Sequence, residues 1–252
     1  MKWTSWLLCF TLSSESKRLG FLSGIHVKAG SISQLSLNAM NEFDAEHNRV
    51  CQENVSLPSF VKAVPLPQAC RLLNTGATVL VSSSHAGKRN LMAASWNMPV
   101  DFDPPKLAVI VDRTTFTRTL IEASGEFALC IPPLKLADLT FTVGSCSGKD
   151  LAEDKFTRFA IPTAPASCVA APLVRDCVAW LECRLIREER AQQAYDLLVG
   201  DVVRAWADER AFADGRYRPV HEIPPELRTI HHLGAGQFVV PGQQVQAQAQ
   251  PP

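Results

Sequence analysis

Apolar residues in this chain gather in short runs separated by proline, glycine and polar clusters. Thr78–Ser82 (TVLVS), Lys106–Val111 (KLAVIV), Phe127–Ile131 (FALCI), Ala179–Arg187 and Leu197–Ala205 are rich in β-branched, aromatic or aliphatic residues. Runs of this length and composition predict strands, the first apolar enough to be buried on both faces. Phe238–Val240 predicts a last short strand. Helical spacing is rarer. Pro67 opens a short helix over Gln68–Leu73, with Gly76 ending it. Phe116, Leu120 and Ile121 share one face of a second helix that Ser124-Gly125 stops, and Leu134–Val143 predicts a third. Pro99, Pro104 and Pro105 exclude a long helix between the first two strands and leave turns or an edge strand. Gly200 inside a strand run predicts a bulge or the close approach of a neighbour. Short strands with helices inserted irregularly, not in alternation, predict a mainly β, mainly antiparallel barrel with peripheral helices.

The ends of the 252-residue chain lack this patterning. Residues 1–56 are expected to be a partly disordered N-terminal extension, 57–241 the folded domain, and 242–252 (GQQVQAQAQPP) a disordered tail. Lys2 and the apolar stretch from Trp3 to Leu12 faintly resemble a signal peptide, but Thr4 and Ser5 interrupt it and no clean cleavage site follows. A cytoplasmic location is therefore expected. The 25 basic and 25 acidic side chains cancel, which argues against nucleic-acid or membrane-surface partners. No apolar run approaches the roughly 18 residues a bilayer span needs. Eight scattered cysteines include no C-x-x-C pair, and several sit inside strand-like runs, so buried free thiols are expected rather than disulfides.

Two stretches carry candidate chemistry. At Asp112-Arg-Thr-Thr-Phe-Thr117 a strand gives way to a helix, whose start exposes N–H groups that attract an anion. Arg113 adds a fork of donors and the threonines add hydroxyls. The same residues read equally as a threonine cap beside a solvated arginine. In His85–Trp96, Gly87 permits a tight turn, and Ala93, Ala94 and Ser95 are small enough for a flat ring to lie against the backbone. Asn90 offers both a donor and an acceptor. The alternative is a hairpin loop followed by a strand with Trp96 in the core. No acid–base dyad, G-x-S-x-G nucleophile motif, metal-ligand spacing or complete dinucleotide fingerprint is present.

Asn90-Leu-Met-Ala-Ala-Ser-Trp96, followed by Pro99 and Pro104-Pro105, resembles a signature of the flavin reductase-like, flavoredoxin-like family of FMN-binding split β-barrels. Asp112–Thr117, Ser147-Gly148 with Asp154-Lys-Phe156, Val199-Gly-Asp-Val202 and His231-His-Leu-Gly234 continue the resemblance in order. It implies FMN contacts from Asn90, Leu91, Met92, Ala94, Ser95 and Trp96, a phosphate near Arg113, Thr114 and Thr117, Lys155 near the ring or its ribityl chain, and Phe238 flanking the ring. It further implies NADH or NADPH as co-substrate, a homodimer, and a partner monooxygenase or other electron acceptor. The same residues would serve a flavoredoxin-like electron carrier without NAD(P)H oxidase activity; a cofactor-free interaction barrel is the reading from another class. Tyr195 stands where relatives carry a histidine.

Overall fold

The computed structural model describes residues 56–250. The extension expected before residue 56 and the last two residues of the tail lie outside them. The strands are β1 (Val61–Ala63), β2 (Val79–His85), β3 (Lys88–Ala94), β4 (Asn97–Phe102), β5 (Pro105–Ile110), β6 (Glu126–Ile131), the short pair β7 (Thr163–Ala164) and β8 (Leu173–Val174), then β9 (Ala179–Ile186) and β10 (Leu197–Asp208). Two small strands and a final hairpin follow: β11 (Phe212–Ala213), β12 (Arg216–Tyr217), β13 (His231–Gly234) and β14 (Gln237–Val239). The helices are α1 (Leu66–Ala69), α2 (Phe116–Ser124), α3 (Ala137–Gly144), α4 (Lys155–Arg158) and α5 (Glu189–Tyr195).

The main sheet is antiparallel, in the order β3-β2-β6-β9-β10-β5-β4, with β1 added on β10. The twelve-residue β10 serves both halves: Leu197–Asp201 pair with β5, and Trp206–Asp208 pair with β1. Its register against β9 shifts between Val202 and Arg204, so the bulge lies just beyond Gly200. Gly200 also shows the close approach expected of it, since a Cβ there would stand 2.6 Å from Cζ of buried Phe127.

Two apolar clusters flank the sheet. One gathers Val79, Val81, Ala94, Ile121, Phe127 and Leu129; the other gathers Leu80, Leu91, Val143, Phe156, Leu173 and Trp180. The alternation of Val79 and Val81 against Leu80 is the period of a strand buried on both faces. Buried Glu182 on β9 takes the backbone N–H groups of Ser167 and Cys168 and the Trp206 indole N–H, fixing the 165–170 loop to the sheet. Cys130, Cys177 and Cys183 are buried free thiols as expected, and burial pushes those of Cys177 and Cys183 up. Cys168 departs from the expectation: it is disulfide-bonded. Among the described residues no helix is long and apolar enough to cross a membrane.

Several elements went unforeseen, β3 and α5 among them. Residues 88–94, expected as loop, form β3, because Ala86 and Gly87 both adopt positive φ (48° and 76°) in a two-residue turn that suits a twisted hairpin. Seven-residue α5 buries only Gln192, leaving almost no periodic signal to read.

Candidate functional site

β3 forms one edge of the main sheet, and its two faces meet different helices. Asn90, Met92 and Ala94 point to one side, where α2 packs; Leu91, Ala93 and Ser95 point to the other, toward α3. The Gly144–Asp150 segment passes around this edge and touches both sides. A Cβ on Gly144 would lie 3.2 Å from the Ala93 Cβ, and one on Gly148 would lie 2.3 Å from Asn90 Oδ1.

On the α2 side the two candidate stretches come together. Asn90 Nδ2 donates to Thr117 Oγ1 at 2.9 Å, with both residues buried. Ser83 faces Asn90 across the β2–β3 ladder. Buried Ser83 Oγ and Asn90 Oδ1 lack a hydrogen-bond partner among the described residues, so this nook holds unmet polar capacity beside the start of α2.

The strand-to-helix junction is largely satisfied by its own residues. Thr115 caps α2 by accepting from Arg118 N–H. Thr114 donates both its N–H (2.7 Å) and its hydroxyl (2.6 Å) to Asp112 Oδ1. Those two bonds, hydroxyl first, hold the Asp112 carboxyl below the usual carboxylate range. Arg113 turns away to α5, pairing with Asp196 at 3.0 Å and donating to the Gln193 carbonyl. Buried Arg118 reinforces that clamp through the Gln192 and Val111 carbonyls. Two guanidinium groups at the end of α5 complement its exposed carbonyls. Lys149, which sequence reasoning passed over, reaches the junction from the edge-wrapping segment and donates to the Thr114 carbonyl.

On the α3 side lies a cleft of about 160 Å³. Ala93 lines it from β3 and Ser95 from the residue after that strand, Phe141 and Gly144 from α3, and His232 and Phe238 from the β13–β14 hairpin. Its walls are small or aromatic, the shape a planar ring requires. Phe141 lies against Gly236, where a Cβ would come within 3.0–3.3 Å of three ring carbons. Predicted Ser95 and Phe238 thus share one cleft. Phe141 and Gly144 were not singled out, and His232 was named only within a motif and given no role, since α3 and the hairpin are joined to β3 only by tertiary packing.

The other predicted residues fall elsewhere. Leu91 is fully buried in the second apolar cluster, so its side chain is core and only its main chain could face a ligand. Met92 and Ala94 pack in the first cluster. Trp96 is 74% exposed and belongs to neither the core nor the cleft. Lys155 is buried, its ammonium donating to the Val143 carbonyl at 2.6 Å near the end of α3. Burial lowers its pKa, because desolvation disfavours the charged form. Tyr195 is exposed on α5 and does not line the cleft.

Comparison with known proteins accords with this geometry. The family described as flavin reductase like domain matches residues 70–221. The uncharacterised YddH protein of Escherichia coli K12 is 46% identical over 187 residues, covering 73% of this chain and 96% of the relative. The crystal structure of the FMN-binding domain of a flavin reductase-like enzyme from Shewanella baltica OS155 superimposes with a TM-score of 0.72 at 40% identity, covering 75% and 97% of the two chains. Flavoredoxin of Desulfovibrio vulgaris (Miyazaki F) shares the fold, with a TM-score of 0.58 at 22% identity over 68% and 89%.

Proposed function

Because the chain belongs to the flavin reductase-like family and has its split-barrel fold, we propose that it binds FMN and works as an NAD(P)H-dependent flavin oxidoreductase. The observation that carries this reading is the pairing of a flat-walled cleft on one face of β3 with a polar nook and a helix start on the other, joined by one segment around the strand edge. The donor set fits FMN. Ala93, Ser95, Gly144 and Phe238 would hold the ring, the unmet oxygens of Asn90 and Ser83 suit the hydroxyls of a polyol chain, and Lys149 with the first turn of α2 would hold the phosphate. Bound FMN supplies the hydride and electron transfer. The protein needs no acid–base dyad for this; it must orient the ring and leave one face open to NADH or NADPH.

The working unit in this reading is a homodimer. Trp96, just before the edge strand β4, and Met98, Val100 and Phe102 along it are 74%, 56%, 51% and 59% exposed. Such an apolar row on a free sheet edge is suited to a second copy of the chain and is a liability uncovered. Electrons would pass on to a partner monooxygenase or another acceptor.

Anaerobic titration of the FMN-loaded protein with NADH and with NADPH tests the activity. Loss of the flavin band at about 450 nm with either nucleotide is expected. A protein that holds FMN yet is bleached by neither is an electron carrier instead, and one that stays colourless in excess FMN refutes the reading altogether.

A further inference from the structure

His232 is the one titratable side chain lining the β3–α3 cleft among the described residues. Neither β3, α3 nor β14 brings a charged or titratable group to it; they contribute hydroxyls, glycine, alanine and phenylalanine. His231, the neighbour on the same strand, lies within hydrogen-bond reach of Thr229 Oγ1 (3.3 Å) and does not line the cleft. Lys155 is engaged by the Val143 carbonyl. His232 is also positioned. Its backbone N–H donates to buried Thr78 Oγ1 at 3.0 Å, and its ring sits 5.2 Å from that of Phe238 at a 52° tilt.

The cleft is short of donors. Thr140 and Ser145 both line it, but each donates its hydroxyl proton to a helix carbonyl, Leu136 and Phe141 respectively, at 2.8 Å. Their remaining lone pairs are acceptors. A ring bearing both N–H and C=O groups along one edge finds acceptors in those two oxygens and donors in Ser95 and His232.

We propose that His232 donates to a carbonyl on the edge of the ring held in this cleft and, as imidazolium, stabilises the negative charge left on that ring by two-electron reduction. The inference rests on the FMN reading above and gives the charge facing the ring to His232, not to Lys155, whose ammonium is buried on the Val143 carbonyl. A hydride carries two electrons and one proton, so a neutral ring that accepts one becomes an anion while the dihydronicotinamide that loses it becomes a cation. His232 would meet that new charge in a cleft with no competing ion.

The test is anaerobic equilibrium binding of oxidised and of dithionite-reduced FMN to the full chain and its variants at pH 7.5. His232→Gln is expected to hold oxidised FMN within about threefold of the parent but reduced FMN about tenfold or more weakly, the effect of removing an opposite charge at close range. His232→Lys is expected to restore the preference for the reduced form. An unchanged ratio of the two affinities in His232→Gln would overturn the proposal. Equal weakening of both states in that variant leaves the ratio unchanged and overturns it in the same way. A parent protein that binds neither form removes the FMN reading and this inference with it.

Discussion

The two faces of β3 are built on opposite plans. On the α2 side, Asn90 is buried, bonded to Thr117 and overlain by Gly148 so closely that one added carbon would collide. On the α3 side, Ser95, Phe141 and His232 are exposed and bound an open cleft. Side chains one residue apart therefore meet a filled interior and a vacant surface. The packed face fixes the strand and holds the polar nook, and the open face leaves room for a planar ring. Substitutions on the first should register mainly as lost stability, those on the second mainly as lost affinity.

The sharpest way to break that contrast is Gly148→Val. Its side chain would overlap the hydrogen-bonded Asn90 amide, so overpacking should cost about 1–3 kcal/mol in urea unfolding. FMN affinity should fall too, because the segment carrying Lys149 must lift. A variant as stable as the parent would show that this segment is not seated on Asn90. Phe238→Ala probes the other face: stability should change by less than about 0.5 kcal/mol, since the residue is only half-buried on a small hairpin. FMN should bind about five- to tenfold more weakly for want of an aromatic neighbour, as measured by fluorescence quenching. Equal losses of stability and affinity would erase the distinction between the faces.

The smallest effect concerns Asp112. Its folded-state pKa is lowered, first by the Thr114 hydroxyl and then by the Thr114 N–H. This contribution is thus present above the unfolded value of about 3.9 and is lost as pH falls through the lower folded value. Asp112→Asn should flatten the acid limb of a Tm–pH profile below about pH 4 and barely change it at pH 7. An acid limb identical to the parent's would mean that the Asp112–Thr114 bonds contribute nothing to folding.

Much of the framework was legible because it is local. The runs at 79–85, 105–110, 126–131, 179–186 and 197–208 announce strands through composition, and the prolines mark the β4 edge. Gly200 announced a bulge or a close neighbour and has both nearby, although only packing reveals Phe127 as the neighbour. The candidate site was legible only in part. Asn90 and Thr117 lie 27 positions apart yet touch, and the resemblance placed both in one site. Arg113 was read as a phosphate ligand, whereas Asp196, 83 residues later, holds its guanidinium in this structure. A sequence displays a cation but not what it turns toward. Phe141 escaped notice for the same reason, and His232, though part of a motif, was given no contact, because only tertiary packing brings them to a strand some 50 to 140 positions earlier.

The Ala86–Gly87 tip sets the phase of everything after it. Because the hairpin closes with only those two residues, a single inserted residue would advance β3 by one step and exchange its inward and outward side chains. Asn90 would then face α3 and Ala93 would face α2. Length at this tip should consequently be intolerant of change even though its residues are exposed and touch no ligand, a constraint on spacing rather than on chemistry.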